Sequence, residues 1–263
     1  MGNSAASAVT ITEGREVRSI LVRAAVLRQS GIQGPYSQSR PLSLEKVSLA
    51  PPGPGEIQVA VRAAGVCHSD LSAINGDRPW PVPMVLGHEA AGEVVATGPG
   101  VTGFAAGDAV VMVFKPTCGR CEPCLGGRGA LCEPGSAANA AGTLLGGHRR
   151  LSLDGLPLHH HLGVAAFAER ITVSEHSAVR IERGIPWEIA ALFGCAVLTG
   201  AGAVFNAGGV RPGQSVAVVG LGGVGSAALL AARAAGATIR VAIDRVPEKL
   251  AAARDLGATH VVD

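Results

Sequence analysis

The stretch SVAVVGLGGVGSAALL, residues 215–230, decides how the second part of this chain folds. A continuous apolar run ends on a glycine and passes straight into helix-like alanines and leucines. Gly220, Gly222 and Gly225 stand in the G-x-G-x-x-G spacing of a dinucleotide-binding turn. Gly220 permits the tight turn, Gly222 lets a pyrophosphate approach the backbone, and Gly225 allows close helix–strand contact. The helix N-terminus then faces the phosphates. Asp244 closes the next strand about twenty residues further on, where a carboxylate accepts hydrogen bonds from a ribose 2′-hydroxyl and repels a 2′-phosphate. NAD is therefore favoured over NADP, with Arg245 directly after it as the discordant residue.

Working outward, IRVAID (239–244), PEKLAAARDLGA (247–258) and THVVD (259–263) continue the alternation to β-α-β-α-β, the pattern of a parallel doubly wound sheet. The third strand ends at Asp263. The first strand of such a sheet lies mid-sheet, so SVAVVG is expected to form an exposed apolar edge and the sequence reads as a fragment. Upstream the texture is different. ILVRAAVL (20–27), EIQVAVRAAG (56–65), AGEVVATG (91–98), DAVVMV (108–113) and FAERITVS (167–174) read as strands separated by Gly- and Pro-rich turns. Residues 133–162 read as loop. The uncharged run 189–210 is long enough for a membrane span but is broken by glycines, and it reads as buried helix at a domain junction.

Composition narrows the function. A net charge of +2 gives no nucleic-acid footprint, and no basic run marks a membrane-binding face. Only 3% of residues are aromatic, so the core must be built from Ala, Val, Leu and Ile. The first residues lack a signal peptide's apolar stretch and read as a disordered tail over 1–17. The chain is read as soluble and cytoplasmic.

The six cysteines divide into two groups. Cys118, Cys121, Cys124 and Cys132 follow C-x2-C-x2-C-x7-C, a spacing that lets four thiolates converge on one structural zinc ion. Two disulfides, an iron–sulfur site and a thiol–disulfide switch are the rival readings; none has support elsewhere in the sequence. Cys67 in GVCHSD and Cys195 in LFGCAVLTG remain. With His88 in LGHEAAG they form a Cys2His set with one position open, the donor set of a catalytic zinc. Each has a plain structural reading when taken singly; their joint occurrence with the cysteine lobe and the nucleotide turn outweighs it.

GVCHSD, GHEAAG, the four-cysteine lobe, GCAVLTG and GLGGVG, in that order, make the chain resemble the zinc-dependent medium-chain alcohol dehydrogenases from about Arg18 to Asp263. The resemblance implies a GroES-like catalytic domain over 18–195 and the first half of an NAD-binding Rossmann domain over 196–263. It implies catalytic zinc on Cys67, His88 and Cys195, with Glu89 beside it, Asp70 orienting His88, and Ser69 taking the alcohol proton. His68 would lie near the pyrophosphate, Thr199 and Val224 at the nicotinamide, and Lys249 beside Asp244 at the ribose. Arg78, Pro79 and Trp80 fall where the substrate pocket is lined. The expected partner is a small alcohol or aldehyde, and a homo-oligomer is expected for the full-length parent. Many relatives end the proton relay on a histidine three residues after the serine. Here that position is Ser72, so the relay is expected to end at the cofactor ribose or water. The run His159–His161 carries no assignment. A zinc-free quinone reductase-like relative and a non-catalytic fragment folded around structural zinc are the alternatives.

Overall fold

The computed structural model describes residues 19–263; the tail expected over 1–17 lies outside them. The strands in the first part of the chain are β1 (Ile20–Leu27), β2 (Leu42–Leu49), β3 (Glu56–Gly65), β4 (Met84–Val85), β5 (Glu89–Thr97) and β6 (Ala109–Met112). They are followed by β7 (Leu151–Leu153), β8 (Leu156–Pro157), β9 (His159–His160), β10 (Arg170–Ser174) and β11 (Ala178–Arg180). They form two sheets, ordered β8-β7-β2-β1-β4-β9 and β10-β3-β5-β6-β11. β1 pairs with β2 and β3 with β5 in antiparallel register, and a bulge between Val61 and Ala63 re-aims the end of β3. The core between the sheets is made of Val, Ala, Leu, Ile and one Met, among them Val26, Val47, Leu49, Ile57, Val110 and Ile171. Burying each large member contributes roughly 1.5–3 kcal/mol.

The helices are α1 (Tyr36–Ser39), α2 (His68–Asn75), α3 (Glu122–Leu125), α4 (Glu133–Ala141), α5 (Trp187–Ala191), α6 (Ala196–Gly202), α7 (Gly223–Ala234) and α8 (Pro247–Asp255). β12 (Ser215–Val219), β13 (Ile239–Ile243) and β14 (His260–Val262) form a parallel sheet in that order, with α7 and α8 as crossovers. β12 lies at its edge, and Val219 there is 78% exposed, as the apolar edge reading requires.

Three readings are corrected. Residues 42–49 form a full strand that the upstream pattern does not announce. Residues 133–162 are not a loop: α4 fills 133–141, and three short strands follow. Gly135 within α4 is required, because a Cβ there would lie 2.1 Å from the Pro116 carbonyl oxygen. The run 189–210 is helical but only partly buried, with Leu192, Phe193, Leu198 and Phe205 exposed. No single helix among the described residues is long and apolar enough to cross a bilayer; the segments Trp187–Gly194 and Ala196–Ala207 pass that test only as a pair bent by 51°. Both ends of this bent segment are engaged in packing. A Cβ on Gly194 would meet the Met112 carbonyl oxygen of β6 at 1.8 Å, and one on Gly200 would meet the Val224 carbonyl oxygen of α7 at 2.4 Å.

Candidate metal centres and cofactor cleft

The four-cysteine lobe is built locally. α3 begins after Cys121 and holds Cys124, and α4 begins after Cys132. The four sulfurs lie within 4.8 Å of one another, and those of Cys121 and Cys132 are 3.9 Å apart. Tetrahedral zinc with bonds of about 2.3 Å would set its sulfurs about 3.8 Å apart, whereas a disulfide needs about 2.0 Å. All six cysteines are free. Backbone N–H groups already point at the sulfurs: Cys118 and Gly135 donate to Cys132 Sγ at 3.2 and 3.3 Å, and Cys121 donates to Cys118 Sγ at 3.3 Å. Such donors favour thiolate. The Cys118 thiol is lowered to about 6, first by the backbone N–H of Arg120, while loss of hydration raises Cys124 to about 11. The residues fit a four-sulfur zinc.

The second centre is assembled over long range. Cys67 precedes α2, His88 and Glu89 lie at the start of β5, and Cys195 precedes α6. Their ligand atoms lie within 4.8 Å of one another. Two glycines set this approach. The close seating of Gly194 on β6 delivers Cys195, and Gly65 leaves room for Glu89, whose carboxylate oxygen would lie 2.5 Å from a Cβ there. Asp70, 2% exposed, is the organiser. Its Oδ2 accepts from the Cys67 N–H at 2.9 Å and its Oδ1 from the Gly87 N–H at 3.1 Å. His88 turns Nδ1 to Asp70 Oδ1 at 3.4 Å, which leaves Nε2 as its other nitrogen.

The electrostatics follow from these contacts. A hydrogen bond from the Cys195 thiol, and then His88, bring the Cys67 thiol down to about 3. The same contact with Cys67, with burial added, pushes Cys195 upward. Burial opposes charge on His88, yet Asp70 and Cys67 carry its imidazole up to about 9. Burial likewise opposes the Asp70 carboxylate, but the imidazoles of His161 and His88 hold it below the usual range. Burial raises Glu89. Two sulfurs and one imidazole nitrogen with a carboxylate alongside match a zinc donor set.

The remaining residues flank this centre on two connected clefts. Ser69, Arg78, Pro79, Trp80, Thr199 and Val224 line the cavity that opens over Cys67, His88 and Cys195, about 720 Å³ in volume. Gly220, Gly222 and Gly225 line the neighbouring one, and Cys67, His68 and Val224 belong to both. Gly220 has φ +87°, and a Cβ on Gly225 would lie 1.8 Å from the Gly220 carbonyl oxygen. A Cβ on Gly222 would touch nothing within 4 Å, so that position leaves open space beside the turn, as a pyrophosphate requires. Asp244 accepts from the N–H groups of Leu221 at 2.7 Å and Val246 at 3.0 Å, which lower its carboxyl, and Lys249 Nζ is 3.8 Å away. The residues fit a dinucleotide. Ser72 is buried on α2 and lines neither cleft.

Sequence reasoning missed His161. It is fully buried, with Nδ1 3.1 Å from Asp70 Oδ1 and its ring edge-on to Trp80 and His88 at centroid distances of 5.5 and 5.2 Å. Asp70, His88 and His161 also form a close donor group. The run of three histidines was the available signal. His160 and His161 are both fully buried, and only the turn that follows β9 brings His161 to Asp70.

The model of the alcohol dehydrogenase GroES-like domain matches residues 53–183. An alcohol dehydrogenase zinc-binding domain protein from Burkholderia ambifaria superposes with a TM-score of 0.86 at 42% identity, over 93% of this chain and 64% of that one. Benzyl alcohol dehydrogenase from Acinetobacter calcoaceticus gives 0.83 at 36%, over 92% and 63%. A cobalt- and zinc-bound thermostable alcohol dehydrogenase from Pyrobaculum aerophilum gives 0.74 at 30%, over 92% and 65%. The chain thus spans slightly under two thirds of the length of these solved relatives, and its fold is a GroES-like domain joined to the first half of a doubly wound Rossmann sheet. With this fold, the ordered motifs and the match over 53–183, the chain belongs to the medium-chain alcohol dehydrogenase family.

Proposed function

We propose that this chain is the metal- and cofactor-binding part of a zinc-dependent alcohol dehydrogenase that uses NAD. The observation that carries the reading is the convergence of Cys67, His88 and Cys195 from three distant elements at a cleft shared with the glycine turn. Zinc on those three residues would supply Lewis acidity to an alcohol oxygen, and NAD+ would accept the hydride, giving aldehyde, NADH and a proton. A second zinc on the lobe of Cys118, Cys121, Cys124 and Cys132 would be structural.

The chain's own groups do the rest. Ser69 Oγ takes the alcohol proton and passes it to the cofactor ribose or water, since Ser72 offers no imidazole and is buried away from the cleft. Asp70 holds His88 in one orientation and favours its ligating tautomer. Trp80 and Phe114 line the pocket with apolar surface that excludes water. Thr199 and Val224 would flank a bound nicotinamide, and His68 would meet the pyrophosphate. Asp244 with Lys249 would hold the adenosine ribose, which supports NAD over NADP. Six cysteines read as zinc ligands would need to stay reduced, the ground on which we read the enzyme as cytoplasmic.

Zinc content of the purified chain, followed by NADH formation with a panel of primary alcohols, tests the reading. Two zinc ions per chain, one removed by mild chelation together with NAD-dependent turnover, is the expected result. A single, tightly held zinc without alcohol-dependent reduction of NAD in the full-length protein would sink it.

A further inference from the structure

The outer half of the substrate cavity has a charge pattern that oxidation of a simple alcohol does not use. Its lining contains no aspartate or glutamate but does contain Arg78 and Lys115. Arg78 stands exposed at the mouth, and Lys115 is half-buried with Nζ donating to Ser136 Oγ at 2.5 Å. Neither pairs with a carboxylate among the described residues, so both charges are free to meet an anion in the cavity. A third donor in the same lining, Trp80 Nε1–H, is buried without a partner. A buried donor left unpaired is costly and points to a group that would meet it. Asn139 Oδ1 is an unpartnered acceptor in the lining, but it is neutral and its amide is fixed by donation to the Phe114 carbonyl at 2.8 Å.

Two cations without a carboxylate partner therefore line a cavity walled by the Trp80 and Phe114 rings, and the Trp80 residue that lines it carries an unpartnered buried N–H. A potential of one sign in a cleft with apolar walls selects a ligand of the opposite charge. Building on the dehydrogenase reading, we infer that the alcohol or aldehyde taken by this site carries a carboxylate, held between Arg78 and Lys115 with Trp80 Nε1–H as a further donor, while its reacting carbon reaches inward to Ser69. An aryl or short apolar spacer between the two ends fits the aromatic walls.

The test compares two ligands that differ by one carboxylate, 4-(hydroxymethyl)benzoate and benzyl alcohol, titrated calorimetrically into the zinc-loaded chain. The carboxylate is expected to bind about tenfold tighter at low salt, with the advantage shrinking as ionic strength rises. Arg78→Ala and Lys115→Ala should each lower the ratio of the two affinities roughly threefold, with Arg78→Lys retaining most of it. Equal affinities, tighter binding of benzyl alcohol, no binding of either, or a carboxylate advantage untouched in both alanine variants would overturn the inference. Turnover with NAD is scored separately on the same samples. A charge preference without turnover would break the dehydrogenase reading alone, and turnover of both alcohols without a charge preference would break this one alone.

Discussion

The two cysteine-containing centres differ in how the chain makes them. The lobe gathers four sulfurs from 118–132 and needs little beyond two short helix starts and its glycines. The cleft centre gathers residues 67, 88 and 195, so it forms only when two sheets and a bent helical segment are in place. A local site can stabilise the fold, while a long-range site depends on it. That asymmetry predicts which substitutions cost stability and which cost only the metal.

The largest effect should come from Cys121→Ser. Loss of the lobe metal is expected to cost on the order of 5 kcal/mol or more, read as a large drop in melting temperature. Cys195→Ser should lose the cleft zinc with a far smaller thermal shift; similar shifts for both variants would erase the contrast. Next comes Gly194→Ala. Its Cβ would collide with the Met112 carbonyl, so a loss of about 3 kcal/mol together with weaker cleft zinc is expected, with lobe zinc retained. Asp70→Asn should be gentler on the fold and lower cleft zinc affinity about 10–100-fold, measured by chelator competition. A change in lobe affinity of the same size would show that the two centres are not independent.

The smallest effect concerns His160, fully buried behind the cleft, with Nε2 accepting from the Arg150 N–H at 3.1 Å. Burial lowers it to about 3, far under its unfolded value of about 6.5. Its contribution is therefore full above about pH 6.5 and is lost progressively as pH falls below it, because only the unfolded chain binds the proton in that window. Denaturant titrations of wild type and His160→Gln between pH 7 and 5 should diverge in slope. Parallel curves would show that this histidine is solvated.

What the sequence made legible follows the same division. The lobe, the glycine turn and the strands at 20–27 and 56–65 are local patterns, and each can be read within a short window. β2 was missed because its apolar residues change parity. Leu42 and Leu44 fall on one face and Val47 and Leu49 on the other, and Leu44 is exposed while Val47 and Leu49 are fully buried. α4 was missed because Gly135, Ser136 and Asn139 depress helix propensity, although packing on Pro116 demands the glycine. Ser69, Thr199 and Val224 were placed by resemblance alone, and they share a cavity because of the fold. His161 had no local mark beyond two neighbouring histidines, and its role at Asp70 is visible only in three dimensions.

The segment that carries Cys195 has one further implication. α6 begins beside that sulfur and, through Gly200, lies so close to α7 that only hydrogen fits between them. α7 in turn starts in the glycine turn. Cys195 of the cleft centre and the glycine turn at the start of α7 are thus geared to one stiff spar, and a rotation at either end is felt at the other. Loading one end should stiffen the other, so hydrogen exchange along 196–230 would slow on metal binding before any nucleotide is added.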